Sequence, residues 1–236
     1  MISLRGVSLV YPNGVRALDG IDLEIGKGDF VFLVGHSGTG KSTLLRLLYR
    51  EMAPTTGEIT VDGIRVECLR RSRVPILRRH IGVVFQDFKL LTDKTVWENV
   101  AFALQVTGAH TRDVIRQVPR VLDLVGLSHK SRMYPGELAG GEQQRAAIAR
   151  ALVNNPKILL CDEPSGNLDP SNTTEIMELL LRINLKGTTI MVATHNQAVV
   201  DRMRRRVVRL DNGRIVTDEE RGYYFLGLGQ SQILSG

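Results

Sequence analysis

The sequence has few of the features that mark secreted, membrane-spanning or repeat proteins. Only two of its 236 residues are cysteine, and Cys68 and Cys161 lie far apart, so no disulfide framework is indicated. No apolar run approaches the ~18 residues of a membrane-spanning helix. The first strand-like segments carry Arg5 and Asp19, a pattern that does not fit a signal peptide. We therefore expect a cytosolic protein without internal repeats.

Aromatic residues are also scarce, at 5% of the chain, and its two basic clusters contain none. The formal net charge is +6, from 31 basic and 25 acidic residues. Much of it lies in Arg70, Arg71, Arg73, Arg78 and Arg79, and in Arg202, Arg204, Arg205 and Arg206. A solvated surface is the first interpretation and attraction to anionic lipid the second. No nucleic-acid-binding motif accompanies the clusters, so no nucleic-acid partner is expected.

Glycine, by contrast, is concentrated in one short segment that indicates a function. The apolar run from Phe30 to Val34 has the length of a strand, and residues 43–52 have the apolar spacing of a helix. Between them, Gly35 to Ser42 fits the pattern G-x-x-x-x-G-K-[ST], the Walker A motif. The flanking strand and helix are the context that this motif requires, so the sequence predicts binding of a nucleotide phosphate.

The physical reason lies in the backbone and in two side chains. Glycines let the backbone wrap a phosphate, and free N–H groups at the helix start favour an anion there. Lys41 can reach the β- and γ-phosphates, and the Ser42 hydroxyl can bind Mg²⁺. The predicted nucleotide-binding residues are Gly35, His36, Ser37, Gly38, Thr39, Gly40, Lys41, Ser42 and Thr43.

Two adjacent acids end a second apolar strand, at Asp162 and Glu163. Alone, such a pair is usually a solvated strand end. After a Walker A motif, we expect Asp162 to hold Mg²⁺ and Glu163 to polarise the water that attacks the γ-phosphate.

The remaining pattern predicts an α/β chain. Strands are expected at residues 2–10, 21–25, 57–66 (a hairpin), 81–85, 157–161, 188–193 and 207–217 (a hairpin). Helices are expected at residues 69–79, 95–107, 112–125, 142–153 and after Asp169. Pro119 should kink or break the helix at 112–125. The tail after Glu220 lacks a clear period and is expected to be loose or a short helix.

A second glycine-led helix start follows Leu138, in the stretch Leu-Ala-Gly-Gly-Glu-Gln-Gln-Arg. One phosphate does not need two such sites on one chain. The combination resembles the ATP-binding cassette (ABC) family, whose signature loop, Leu-Ser-Gly-Gly-Gln, contacts the γ-phosphate held by another subunit. The resemblance implies that Ala139, Gly140, Gly141 and Glu142 contact ATP across a dimer.

The resemblance extends over nearly the whole chain and implies further roles. Gln86 resembles the glutamine that senses Mg²⁺ and the attacking water, and Asp169 belongs to a D-loop-like stretch. His195 resembles the switch histidine at the γ-phosphate, and Tyr11 resembles the aromatic residue that stacks on adenine. Two residues depart from the family pattern. Ala139 removes a serine hydroxyl from the signature loop, and Glu142 replaces its glutamine.

The family resemblance also implies an architecture. It is a mainly parallel core sheet with flanking helices, an antiparallel β subdomain and an inserted helical subdomain. We expect one cassette over residues 1–236. Its core and antiparallel part would span 1–87 and 156–220, its helical subdomain about 88–155, and its tail 221–236.

Four stretches indicate the branch of the family, namely residues 85–91, 141–145, 163–169 and 202–208. They resemble the branch that acts in cell division with a separate integral membrane subunit, on the cytoplasmic side of the plasma membrane at the division site. The resemblance implies a homodimer that closes around two ATP molecules with Mg²⁺, moves this membrane partner and so activates peptidoglycan hydrolysis. Exporters of lipoproteins and macrolides share two of these stretches, so an exporter ATPase is the alternative. A soluble cassette that acts on nucleic acid is a second alternative.

Overall fold

The computed structural model describes residues 1–224, which form two sheets with flanking helices. The strands are β1 Ile2–Val10, β2 Arg16–Ile25, β3 Phe30–Val34, β4 Thr56–Val61, β5 Ile64–Arg65, β6 Ile81–Val84, β7 Ile158–Asp162, β8 Thr189–Thr194, β9 Arg206–Asp211 and β10 Arg214–Glu219. The helices are α1 Lys41–Leu48, α2 Val74–Arg79, α3 Val96–Gln105, α4 Thr111–Leu124, α5 Gly140–Leu152, α6 Pro170–Leu185 and α7 Gln197–Met203. Short 3₁₀ turns lie at Arg71–Arg73, Ser128–Lys130 and Pro135–Glu137.

The larger sheet has the order β10-β9-β3-β8-β7-β6, and its strands are parallel except for β10. The smaller sheet, β2-β1-β4-β5, is antiparallel throughout. Helices α3, α4 and α5 lie between β6 and β7 in the chain. This architecture confirms the predicted fold class.

The two faces of the larger sheet bury two separate cores because side chains alternate along each strand. Phe32 and its alternate neighbours pack with α3 to α6, whereas Leu33 faces α1 and the antiparallel sheet. All five residues of β3 and all six of β8 are buried. This burial on both faces explains why these strands have continuous apolar sequences.

Two local predictions have different outcomes. Thr95 begins α3 with the predicted capping box: its hydroxyl accepts from Glu98 N, and the Glu98 carboxylate accepts from Thr95 N. The alternative of a break at Pro119 is wrong, because α4 runs unbroken through that residue. Pro119 is exposed, and so is Ile115, whose carbonyl loses its N–H donor. Water can therefore satisfy that carbonyl, and the helix is kept by its buried opposite face.

The hairpin predicted around Asn212 is present as β9 and β10. The prediction for the tail lies largely outside the described residues, which end at Tyr224.

Candidate active site

Four groups of predicted site residues gather at one edge of the parallel sheet. Strands β3, β8, β7 and β6 run in the same direction, so their carboxyl ends lie side by side. The segments that follow these ends carry the Gly35–Ser42 loop, His195, the pair Asp162 and Glu163, and Gln86. Ligands bind at this edge in open α/β sheets because the loops there converge.

The phosphate loop is shaped by close backbone approaches. A Cβ at Gly35 would lie 2.3 Å from the Leu210 carbonyl oxygen, and one at Gly40 would lie 2.6 Å from the Ala17 oxygen. Both glycines also have positive φ, 151° and 103°. Any other residue would push the loop away from its neighbours. His36, Ser37 and Gly38 are left exposed at the tip of the loop.

Lys41 lies folded back on this loop. Its Nζ donates to the carbonyl oxygens of Gly35, at 2.8 Å, and of His36, at 2.9 Å. Burial lowers the pKa of Lys41, and the nearby charges of Glu163 and Asp162 oppose that shift. Carbonyl dipoles compensate a buried ammonium only in part, so the site favours the arrival of an anion.

Ser42 meets Asp162, although 120 residues separate them in sequence. The Ser42 hydroxyl donates to Asp162 Oδ1 at 2.9 Å. Burial raises the pKa of Asp162, the Ser42 hydrogen bond lowers it, and the net shift is upward. Residues 1–224 contain no group of three or more His, Cys, Asp or Glu side chains that could hold a metal. A cation at Ser42 and Asp162 would therefore need further oxygen ligands from phosphate and water.

Glu163 and His195 form a direct contact. His195 Nδ1 lies 2.8 Å from Glu163 Oε1, and the His195 backbone N–H donates to Oε2 at 3.3 Å. Glu163 has a φ of +49°, and its own N–H donates to the Ala193 oxygen. This left-handed turn is uncommon for a residue other than glycine and directs the carboxylate across the end of β8.

Gln86 lies beside the loop that follows Glu163. The Asn167 side-chain amide donates to the backbone carbonyl oxygen of Gln86 at 3.3 Å. A Cβ at Gly166 would lie 3.1 Å from Gln86 Nε2. The end of β6 and the segment after β7 therefore contact each other next to Asp162 and Glu163.

Tyr11 reaches the phosphate-loop helix from the antiparallel sheet. Its hydroxyl lies 2.9 Å from the Thr43 hydroxyl, and its carbonyl oxygen closes the turn by accepting from Gly14 N. The contact brings the predicted adenine-stacking residue next to the nucleotide-binding loop.

The residues of the signature loop and Asp169 form their contacts away from the Gly35–Ser42 loop. Glu142 accepts from Ala139 N at 3.0 Å and pairs with Lys130, a hydrogen bond that lowers the pKa of Glu142. A Cβ at Gly141 would clash with the Asn172 side chain, so α5 starts directly against α6. Asp169 caps α6 by accepting from Ser171 N and Asn172 N. These partners lie on α5, α6 and the Ser128–Lys130 turn rather than on the Gly35–Ser42 loop.

Two contributors to the site were not predicted from the sequence. Asn167 bonds to Gln86, and the Tyr224 hydroxyl donates to the Gly35 oxygen at 3.4 Å. Asn167 lies in the D-loop-like stretch that ends at Asp169. Tyr224 lies in a tail without clear periodicity, and no sequence pattern indicated this contact.

The fold and this edge define a P-loop ATPase, and comparison with known proteins gives its family. A family model described as ABC transporter matches residues 18–166. The chain therefore belongs to the ABC transporter family, in which it is an ATP-binding and ATP-hydrolysing cassette.

Its curated relatives include the cell division ATP-binding protein FtsE. The chain is 54% identical over 224 residues to FtsE of Streptococcus pneumoniae, covering 95% of this chain and 97% of that protein. It is 56% identical over 225 residues to FtsE of Mycobacterium tuberculosis, covering 95% and 98%. The predicted resemblance to this branch is confirmed.

Solved structures agree with the fold. The dimeric post-hydrolysis state of the ATP-binding cassette MJ0796, bound to ADP and Pi, superposes with a TM-score of 0.85 at 35% identity. It covers 94% of this chain and 100% of that chain. None of the helices within residues 1–224 is long and apolar enough to cross a membrane.

Proposed function

We propose that the chain is the FtsE-like ATPase subunit of a cell-division complex, and that ATP-driven dimerisation acts on a separate integral membrane subunit resembling FtsX. The observation that carries this proposal is identity of 54% and 56% to two FtsE proteins over nearly their full lengths. The expected location is the cytoplasmic side of the plasma membrane at the division site. The expected outcome is activation of peptidoglycan remodelling outside the cell.

In this proposal the phosphates of ATP lie in the Gly35–Ser42 loop, with Thr43 beside them and adenine on the Tyr11 ring. Lys41 exchanges its two carbonyl partners for phosphate oxygens. Its burial supports this role, because a desolvated ammonium gains more from an anion than from neutral dipoles.

The residues present fit a magnesium ion. Ser42 and Asp162 offer a hydroxyl and a carboxylate already in contact, and Gln86, which follows the strand β6 next to β7, would offer a side-chain amide oxygen. These are the hard oxygen donors that Mg²⁺ prefers, and phosphate and water would complete the set. When bound, the ion would neutralise charge on the phosphates.

Hydrolysis is assigned to Glu163 and His195. Glu163 orients and polarises the attacking water, and its contact with His195 holds the carboxylate in place at 2.8 Å. His195 would also contact the γ-phosphate, because it projects from the end of the neighbouring strand β8. Both groups come from adjacent parallel strands, so their separation is set by the sheet.

The second half of the site is proposed to come from a second copy of the chain. Ala139, Gly140, Gly141, Glu142 and Asp169 lie at the starts of α5 and α6, and the two helix starts contact each other. A two-fold dimer would bring these residues to the partner's phosphate loop, burying two ATP molecules. The dimeric state of the MJ0796 cassette, bound to ADP and Pi, supports the formation of a dimer.

The domain division is proposed as residues 1–87 and 156–220 for the core with its antiparallel part, and 88–155 for the helical part. The groove between Gln86 and the helical part would bind the membrane subunit. Movement there is linked to the nucleotide because Gln86 contacts the loop that follows Glu163.

The direct test of the ATPase mechanism is Glu163→Gln. Loss of the carboxylate should lower ATP turnover by at least a hundredfold while ATP still binds, so the variant should accumulate as an ATP-loaded dimer. Light scattering with and without ATP measures the dimer. Glu178→Gln is the matched control, since Glu178 is exposed on α6. Normal turnover in Glu163→Gln, or a monomer at saturating ATP, would contradict the proposal.

The cellular role is tested by the partner. The tagged chain should co-purify with an FtsX-like membrane protein from its own cells, and depletion of the chain should block division. Capture of a lipoprotein or macrolide exporter subunit instead would replace this role with that of an exporter ATPase. Capture of RNA or DNA without a membrane protein would favour a soluble cassette.

A further inference from the structure

The segment that follows β10 turns back towards the phosphate loop. Gly222 N donates to the Arg205 oxygen at 3.2 Å, so the segment lies against the start of β9. A Cβ at Gly222 would lie only 2.8 Å from the Val207 Cβ. Because the approach is so close, glycine is required for the chain to pass there and to bring Tyr224 inward.

Tyr224 is buried, with 7% of its surface exposed, and both of its ends are held. Its backbone N–H donates to Asp201 Oδ1 at 2.7 Å, and its hydroxyl donates to the Gly35 oxygen at 3.4 Å. Asp201 lies on α7, the helix that follows His195. Tyr224 therefore bridges that helix and the first residue of the phosphate loop.

The Gly35 oxygen accepts from two donors, Lys41 Nζ at 2.8 Å and Tyr224 at 3.4 Å. The tyrosine bond is long for an O–H···O contact, which leaves room for it to shorten. When Lys41 turns to phosphate, Gly35 loses its stronger donor. A buried carbonyl left without a donor is unfavourable, so the tyrosine hydroxyl matters most in the nucleotide-bound state.

We propose that Tyr224 is a positioning residue for ATP binding, which keeps the Gly35 carbonyl satisfied when Lys41 leaves it for the phosphates. Tyr224 acts through the loop and not on the reacting atoms. Burial and the nearby charge of Glu163 raise the pKa of its hydroxyl, so the group stays a hydrogen-bond donor at neutral and moderately alkaline pH. The inference rests on the role proposed above for Lys41.

The test is Tyr224→Phe, which removes the hydroxyl and keeps the ring. Without ATP, Gly35 retains its lysine donor, so the thermal midpoint should change little. With ATP, the carbonyl loses both donors, and the dissociation constant should rise about five- to tenfold. Equilibrium dialysis with labelled ATP in the full-length Glu163→Gln protein measures binding without turnover. In the protein with Glu163 intact, KM should rise and kcat should stay within about twofold.

Tyr223→Phe is the matched control, because that ring packs under Arg204 and is 38% exposed. It should bind ATP normally. If Tyr224→Phe also binds ATP normally, or lowers the thermal midpoint without changing the affinity, the positioning role is overturned and Tyr224 is only a packing residue.

A double-mutant cycle with Lys41→Met separates this inference from the function on which it rests. In Lys41→Met the carbonyl has no lysine donor in either state, so adding Tyr224→Phe should change ATP affinity by less than twofold. If Lys41→Met alone leaves ATP affinity intact, the proposed role of Lys41 fails. If it weakens binding but the two substitutions act independently, only the inference about Tyr224 fails.

Discussion

In the six-stranded sheet, the carboxyl ends of the parallel strands form one edge, the carboxyl edge, and their amino ends form the opposite one, the amino edge. Charged side chains are paired differently at these two edges. At the amino edge, the Asp62 carboxylate accepts from Lys157 Nζ at 2.8 Å and from His80 Nδ1. At the carboxyl edge, the acceptors of buried Lys41 within residues 1–224 are only carbonyl oxygens, and Asp162 bonds to a neutral serine. The charged groups at the amino edge are therefore paired within the chain, whereas those at the carboxyl edge would be paired only with a ligand.

The pKa shifts follow this difference. Burial raises the pKa of Asp62, but hydrogen bonds from Lys157 and His80 outweigh it, and the net shift is downward. Burial dominates at Asp162, whose pKa is raised, and at Lys41, whose pKa is lowered. Both shifts at the carboxyl edge disfavour the charged form. Charges at the amino edge thus contribute to stability, whereas under the proposed function those at the carboxyl edge would become favourable when phosphate and a cation bind.

The amino edge also joins the two sheets. Asp62 lies in the turn between β4 and β5, while His80 and Lys157 immediately precede β6 and β7. The His80 oxygen accepts from the backbone N–H groups of Lys157 and Ile158. This cluster therefore fastens the antiparallel sheet to the parallel one, on the side away from the phosphate loop.

The largest expected effect comes from breaking the carboxyl edge with Lys41→Met. Methionine keeps the aliphatic packing but removes the cation, so ATP affinity should fall on the order of a hundredfold. The free energy of unfolding without ATP should change by less than about 1 kcal/mol, because the lost carbonyl contacts are offset by removal of a buried charge. ATP binding by equilibrium dialysis and urea unfolding measure the two quantities. A large loss of stability with ATP affinity intact would mean that Lys41 serves stability rather than ATP binding.

Breaking the amino edge with Asp62→Asn should have the opposite signature. Asparagine tolerates the left-handed backbone of Asp62, φ +48°, so the change removes mainly charge. At pH 7 the free energy of unfolding should fall by about 1 kcal/mol after allowance for solvent screening. ATP affinity and turnover should be unchanged.

The pH dependence of this effect follows from the lowered pKa of Asp62. Its stabilising contribution is fully present above the unfolded value of about 3.9, and it is lost as pH falls through the lower folded value. The difference between the parent protein and Asp62→Asn should therefore shrink at the acid end of a urea-unfolding series. A constant difference at every pH would show that the charge is not responsible.

The smallest expected effect concerns the half of the carboxyl edge that a second chain would complete. Ala139→Ser restores a hydroxyl to the signature loop and should tighten the ATP-loaded dimer by about 0.5 kcal/mol per site. Sedimentation of the Glu163→Gln protein with ATP measures the dimer. Serine is also a better N-cap for α5 than alanine, so it should stabilise the monomer itself. Unfolding without ATP measures this separate gain in stability. A dimer that is unchanged or weaker would count against the proposed contact.

Local sequence by itself determined the phosphate loop, most of the strands and the helix caps. A strand, a glycine-rich turn and a helix start follow each other within residues 30–48, so their geometry depends on backbone conformation near in sequence. The caps at Thr95 and Asp169 are equally local, because each side chain bonds to N–H groups within three residues. The break considered at Pro119 was wrong because local preference yielded to burial of the helix face.

Tertiary structure alone decided which side chains meet. Ser42 at the start of α1, which follows β3, contacts Asp162 on β7, although β8 lies between β3 and β7 in the sheet. Tyr224 reaches Gly35 from the far end of the described chain. The motifs indicated that Asp162, Glu163 and His195 are functional, but not that His195 bonds to Glu163 at 2.8 Å. Such contacts depend on strand order and register, which arise from packing two cores on opposite faces of one sheet. The physical reason is that sequence-local forces shape each loop, whereas only the sheet sets the distances between loops.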